Sequence, residues 1–266
     1  MPEWSNGQDL RSCGLVPAQV RILSPSIKML KKREKILLLV PILILFLLSY
    51  NFLDGALTNF LSSDENVFVD RVIDGDTVQV NGTSVRLLGV NTPEKGEFYY
   101  EEAKNFTTSM VLGKNVTLKF EKDRYDKYHR ILAYVFLGDK NVNAELVRNG
   151  FANYYFYSGK DSHSSGLIEA WNTCLNKNVG LCEKSADLCG NCFSINSQLK
   201  IITNKCPFSC NITGWDIETE GRERFFWNNT VLVGGANARF ELNFTESGGS
   251  VYLRDIDGKL VAWSPN

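Results

Sequence analysis

"VIDGDTVQVNGTSVRLLGVNTPE", residues 72–94, alternates apolar and polar residues on both sides of Asn81-Gly82, a dipeptide that readily takes the two positive φ values of a type I′ turn. The stretch therefore reads as a tight hairpin, with Val80 opposite Thr83 and Thr77 opposite Arg86. Asp74, Asp76, Arg86 and Glu94 surround it. Simple pleating sends Asp76 and Arg86 to opposite faces, so their convergence requires strong curling or a bulge near Gly75, a device common in barrels. Pro93 restricts Thr92 to an extended conformation and fixes the direction in which Glu94 leaves the strand.

Outward from this hairpin, "NVTLKF" (115–120) and "RILAYVFL" (130–137) are further strand candidates, the second apolar enough to be central. Helical spacing links Tyr99, Ala103, Phe106 and Met110 before Gly113. It also links Val142, Leu146 and Val147 before Gly150, and Leu167, Ile168, Trp171, Leu175 and Val179 before Gly180. These stripes read as core faces. From about Asp187 helical periodicity vanishes, and "LKIIT", "RFFW", "RFELNF" and "SVYLRD" appear as short strands, with Asp257-Gly258 as a second hairpin turn. The predicted architecture is a β-barrel with helices over 66–185, followed from 191 to 266 by a small all-β sandwich.

Lys28, Lys31, Lys32, Arg33 and Lys35 precede an unbroken apolar run from Ile36 to Leu48, the pattern of a secretory signal. Phe52 and Leu53 extend it toward a signal anchor, so cleavage and membrane anchoring both remain open, and residues 54–65 read as a linker. Positive charge before the run places the rest of the chain outside the cytoplasm. The first 28 residues resemble neither a transit peptide nor a domain. Their order resembles a translated leucine transfer-RNA gene, since "PEWSNGQDLRSCG" and "QVRILS" can be back-translated into its arms, and this resemblance implies a start at Met29.

Of 29 basic and 30 acidic residues, 7 and 3 precede residue 36, leaving 22 against 27. No basic field marks a nucleic-acid surface, so contact with a polyanion must rest on a few placed cations. Beyond Cys13, six cysteines remain, at 174, 182, 189, 192, 206 and 210. An even set in an exported chain suggests disulfides, while Cys189-x2-Cys192 with Cys206-x3-Cys210 also has zinc-site spacing. A Cys174–Cys182 bond is expected, since Gly180 ends the helix between them and lets the chain turn back.

Asp74 and Asp76, with Asn91 and Thr92, offer hard oxygen donors of the kind calcium takes, although Asp and Asn are also ordinary turn residues. "VIDGDTV", "VRLLGVNTPE", "DKYHRILAYVF" and "NAELVRNGFA", in that order over about residues 66–184, resemble the staphylococcal-nuclease, or thermonuclease, family. The resemblance implies a five-stranded OB-type barrel with three helices, hydrolysing DNA and RNA with Ca2+. It implies metal binding by the Asp76 and Asn91 side chains and the Thr92 carbonyl, phosphate contacts by Arg86 and Arg130, and Glu94 as general base. Lys127, Tyr128, Tyr155 and Tyr157 fall where that family contacts its nucleotide. Two departures stand out: Asn91, where many relatives have aspartate, and His129, where glycine is usual. His163 reads as an exposed loop residue.

"CNITGWDIETEGR", "VLVGGANARFEL" and "SVYLRDIDGKLV" resemble the strands of an extracellular lamin-tail domain, which implies an immunoglobulin-like sandwich that binds an unknown ligand. Two other readings compete with the nuclease: a nucleic-acid-binding OB module without turnover, and a surface adhesion protein led by the lamin-tail-like part. The set Arg86, Glu94 and Arg130 argues against both.

Overall fold

The computed structural model describes residue 41, residues 64–244 and residues 249–265. The expected start at Met29 and the apolar run, Pro41 apart, lie outside the described residues. Among those described, no helix is long and apolar enough to cross a membrane.

β1 (Glu65–Phe68), β2 (Arg71–Asp74), β3 (Thr77–Val80) and β4 (Thr83–Leu87) open the fold. Asn81 and Gly82 take φ values of 49° and 78°, and the β3–β4 ladder pairs Val80 with Thr83 and Thr77 with Arg86, as the turn dictates. The β2–β3 ladder shifts register between Val72 and Asp74, so the expected bulge lies just before Gly75. The added twist of a bulge accompanies a close approach of Asp76 Oδ2 to Arg86 Nη2, 3.1 Å.

β5 (Val90–Asn91), helix α1 (Tyr100–Val111), β6 (Asn115–Lys119), β7 (Ile131–Leu137) and β8 (Lys140–Asn141) follow. Helix α2 (Val142–Arg148), β9 (Asn153–Tyr154) and helix α3 (Ser164–Lys177) complete this part. The main sheet runs β1-β6-β7-β4-β3-β2, with β8 on β7. It thus holds seven strands, because β1 and β8 extend the expected five. β7 pairs parallel to β4 and buries Ala133, Tyr134 and Val135, which explains its continuous apolar sequence. β5 pairs with β9 in a separate two-stranded sheet and ends at Asn91.

Helix α3 stops earlier than expected: Asn178, at φ 55°, caps it in the left-handed conformation. Gly180 instead packs against Gly150, where a Cβ on Gly150 would meet the Val179 carbonyl oxygen at 2.3 Å. Cys174 and Cys182 are joined across this turn, with Cα atoms 5.8 Å apart. Cys189–Cys210 and Cys192–Cys206 are also joined. The sulfurs of the possible zinc group are therefore spent in disulfides.

The C-terminal part is all β: β10 (Phe193–Asn196), β11 (Ile201–Asn204), β12 (Cys210–Asn211), β13 (Asp216–Thr219), β14 (Arg224–Phe226), β15 (Val231–Leu232), β16 (Asn237–Arg239), β17 (Val251–Arg254) and β18 (Leu260–Ser264). Its sheets run β10-β11-β16, β12-β15 and β14-β13-β17-β18. "RFELNF" yields strand only to Arg239. Beyond it, Phe240 and Leu242 are buried without a ladder, their backbone held by Lys200 through its carbonyl and its ammonium.

The first apolar core continues into β17 and β18, since Tyr252 and Leu260 belong to the same buried cluster as Val78, Leu146 and Trp171. Fully buried Trp171 meets the rings of Tyr252 at 5.2 Å, Tyr154 at 6.0 Å and Trp263 at 6.1 Å. Backbone bonds tie the same seam: Leu260 N–H donates to Glu183 O and Ser185 N–H to Leu260 O. A seam this apolar fixes the β13–β14 connection against the first barrel.

Candidate active site

The curled hairpin, the Asn91-Thr92-Pro93-Glu94 segment and the β13–β14 turn converge on one point. Asp76, almost fully buried, accepts the Thr92 backbone N–H at 2.8 Å and lies 3.1 Å from Arg86 Nη2. A second guanidinium meets it from the C-terminal part: Arg222 Nη2 lies 3.2 Å from Asp76 Oδ2. Arg222 also donates to the Thr92 carbonyl through Nη2 and to Glu94 Oε1 through Nη1. Burial alone would raise the Asp76 carboxyl, but Arg86, Arg222 and the Thr92 N–H together hold it below the usual range. Asp74, behind it, is pushed up by burial and by the Asp76 charge; its Oδ1 accepts the Asp76 N–H.

Arg86 is folded inward. It donates to Leu87 O at 2.6 Å through Nη1 and to Asn91 Oδ1 through Nη2. The Asn91 amide donates in turn to Glu220 O at 2.5 Å. Glu220 anchors the turn, its carboxylate accepting the Ser250 N–H at 2.7 Å and the Phe156 N–H at 3.2 Å. Arg222 sits at the tip with φ 68°, a left-handed conformation that costs a non-glycine residue about 1 kcal/mol or more. Its side chain is 21% exposed, against 63% for that of Glu94.

The remaining expected site residues lie around this cluster or apart from it. Tyr154 and Phe156 are buried while Tyr155 is half-buried and Tyr157 exposed, so the aromatic run alternates between core and surface as a strand should. The Tyr155 and Tyr157 rings lie 6.0 Å apart. Tyr155 borders Gly221, and its hydroxyl is pushed up by burial first, with Arg86 pulling the other way.

Arg130 lies two residues before Leu132, the residue that pairs with Arg86 across β4–β7. Its Nε donates to Asp126 Oδ2 at 2.7 Å, and its guanidinium carbon stands 5.6 Å from the Tyr128 ring centre. Lys127 Nζ covers the same ring, and both Lys127 and Tyr128 are exposed. The structure thus gathers Asp76, Arg86, Asn91, Thr92 and Glu94 into one network, and holds Arg130, Lys127 and Tyr128 in a second group around Asp126. His129 has φ 61°, which accounts for glycine being the usual residue there. His163 is a correction. It does lie in the turn before helix α3, but its side chain is half-buried rather than exposed: it stacks on Tyr134 at 4.3 Å and hydrogen-bonds Glu121.

A family model described as staphylococcal nuclease homologue matches residues 84–184. The thermonuclease of Staphylococcus intermedius is 35% identical over 130 residues, 45% of this chain and 77% of that protein. The thermonuclease of Staphylococcus hyicus is 32% identical over 140 residues, 48% of this chain and 82% of that protein. The chain belongs to the staphylococcal nuclease family. Endonuclease YncB of Bacillus subtilis is 42% identical over 98 residues, 33% of this chain and 46% of that protein.

The staphylococcal nuclease domain is an OB-fold, and β2-β3-β4 with β6 and β7 supply its sheet here. The oxygen donors that the family resemblance assigns to a metal are present in Asp76, Asn91 and Thr92. Their oxygens are committed, however: Arg222 takes Asp76 Oδ2 and Thr92 O, and Arg86 takes Asn91 Oδ1. A divalent ion does not fit beside two guanidinium groups on the same three oxygens. Arg222 was not among the expected site residues. Its one sequence signal is a charged Glu220-Gly221-Arg222 turn between two strands, and nothing local says where that turn points.

Proposed function

We propose that the chain is an exported endonuclease that hydrolyses phosphodiester bonds of DNA and RNA. Membership of the nuclease family supports phosphodiester hydrolysis, and one observation carries the mechanism: an exposed carboxylate, Glu94, in the segment that matches the family, is bridged by Arg222 to the buried Asp76, which Arg86 also meets. Water adds to phosphorus as its proton passes to Glu94. The phosphorus–oxygen bond to the leaving sugar breaks, and the leaving oxygen takes a proton from solvent, as Glu94 later returns its own. Guanidinium groups suit the charge that builds on the phosphoryl oxygens, because their planar forks match pairs of oxygens.

Calcium is the ion the resemblance implies, and no step is assigned to it while Arg222 holds its oxygens. Tyr155 and Tyr157 offer stacking faces for a base beside Arg86. Three disulfides and the charged, apolar N-terminal pattern support export. The C-terminal β part, lamin-tail-like in sequence, serves on this reading as a fixed wall of the nuclease site. The test is digestion of single-stranded DNA by the wild type and by Glu94→Gln. The substitution should lower kcat by about 10²- to 10⁴-fold, the usual worth of a general base, with little change in DNA affinity. Equal turnover removes Glu94 from the role.

A further inference from the structure

We propose that Arg222 is the resident cation of this active site, standing where a divalent ion would stand, so that hydrolysis proceeds without a bound metal. The inference rests on the nuclease reading above. Three contacts define it: Arg222 Nη2 on Asp76 Oδ2 and on the Thr92 carbonyl, and Nη1 on Glu94 Oε1. One planar group thereby bridges a buried carboxylate, a backbone carbonyl and the proposed base, and leaves a cationic face beside Arg86. An ion bound there would need the same oxygens.

Charge agrees with the geometry. Arg86 and Arg222 meet the two carboxylates Asp76 and Glu94, and the third donor side chain, Asn91, is neutral. Asp74, whose Oδ1 accepts the Asp76 N–H, adds a third carboxylate, so two guanidinium ions bring the group within one charge of balance with no metal. A divalent ion added beside both guanidinium groups would turn the site net positive around a carboxylate that is almost fully buried, and such charge is costly without further anionic ligands.

The turn that delivers Arg222 is built as a fixture. Glu220 is bonded at its carboxylate by two backbone N–H groups and at its carbonyl by Asn91. The Tyr154 hydroxyl lies 2.5 Å from that of Ser250, and Arg224 is ion-paired to Glu97 and Glu218. The adjoining strands share the Trp171 core. A removable plug would have few such ties; this turn is bonded to the first barrel on both sides of its tip.

The experiment uses the full chain, stripped of divalent ions, with single-stranded DNA as substrate and calcium as the probe in calorimetry. Wild-type turnover should change less than about 3-fold between chelator and calcium. Calorimetry of the wild type should show no calcium binding at millimolar concentration. Arg222→Ala should lose about 10²-fold or more in chelator, the usual loss on removing one charge-stabilising donor. It should recover partly with added guanidinium ion and acquire a calcium site. Arg222→Lys, which keeps the charge and most of the stem, should retain intermediate turnover and bind no calcium. Stoichiometric calcium binding by the wild type, or turnover abolished by chelator and restored by calcium, overturns the assignment without touching the nuclease reading, and needs no variant to fold. Absence of DNA cleavage in every condition refutes the nuclease reading, and the catalytic role of Arg222 with it.

Discussion

Replacing Asp76 with Asn tests the packing of charge at this site by its sign. Two guanidinium nitrogens lie 3.1 and 3.2 Å from Asp76 Oδ2. At an effective dielectric of 20, each pair is worth about 5 kcal/mol of gross attraction. Burial of the carboxylate offsets much of that, so the net loss on breaking a buried pair is about 3–5 kcal/mol. Asp76→Asn keeps the size but strands the partly buried Arg86 cation and leaves Arg222 only the exposed Glu94 carboxylate, and should lower the free energy of unfolding by about that amount. An acidic ion site awaiting its metal would respond in the opposite direction, because deleting one carboxylate relieves repulsion among the rest. The pH dependence follows from the depressed Asp76 carboxyl. Its stabilisation is present above the unfolded value near 3.9 and is lost as pH falls through the lower folded value. Urea unfolding at pH 7 and at pH 3, with both proteins, measures the two effects. The deficit of Asp76→Asn should shrink as pH falls through the folded value. A variant as stable as the wild type at pH 7, or more stable, refutes the ion network described here.

Asp216 has the opposite sign. Burial, only partly countered by Arg224 and reinforced by Glu218, pushes its carboxyl up to about 6, so its ionisation opposes folding by up to about 3 kcal/mol above that pH, an effect absent below the unfolded value near 3.9. The difference in melting temperature between Asp216→Asn and the wild type should therefore grow in favour of the variant between pH 4 and pH 7; a constant difference contradicts the shift. Tyr157→Ala should weaken binding of a short single-stranded DNA by about 1–3 kcal/mol, the worth of one stacked base, read as a raised KM with kcat nearly kept. An unchanged KM removes Tyr157 from the substrate surface. Replacing both Cys174 and Cys182 with Ala opens a link between residues eight apart in sequence. It should cost about 2.5 kcal/mol on loop entropy, measurable by urea unfolding; mass spectrometry of unreduced peptides should find the bond itself.

Much of the barrel was legible because its signals are local. Alternation around Asn81-Gly82 set the β3–β4 register, and that register forced the conclusion that only a bulge or strong curl could join Asp76 to Arg86. Helical spacing located the helices α1, α2 and α3, whose apolar stripes repeat every turn. Boundaries were less secure wherever two residues can perform one task. Asn178 took the left-handed cap expected of Gly180, since asparagine tolerates that conformation too, and the glycine was needed instead for contact with Gly150. The same ambiguity hid His163, whose polar neighbours suggested exposure although its ring finds Tyr134.

What the sequence could not show was the second half of the site. Arg222 lies 128 residues beyond Glu94, and no periodicity or spacing connects a turn in one β structure with a carboxylate in another. Only the shared core of Trp171, Tyr252 and Trp263, with the backbone bonds of Glu183 and Ser185 to Leu260, sets the β13–β14 turn against the barrel. The residues of the hairpin by themselves specified a cluster of oxygens suited to a cation. Tertiary packing decided which cation holds them, because long-range placement depends on burial summed over both parts of the chain rather than on any local pattern.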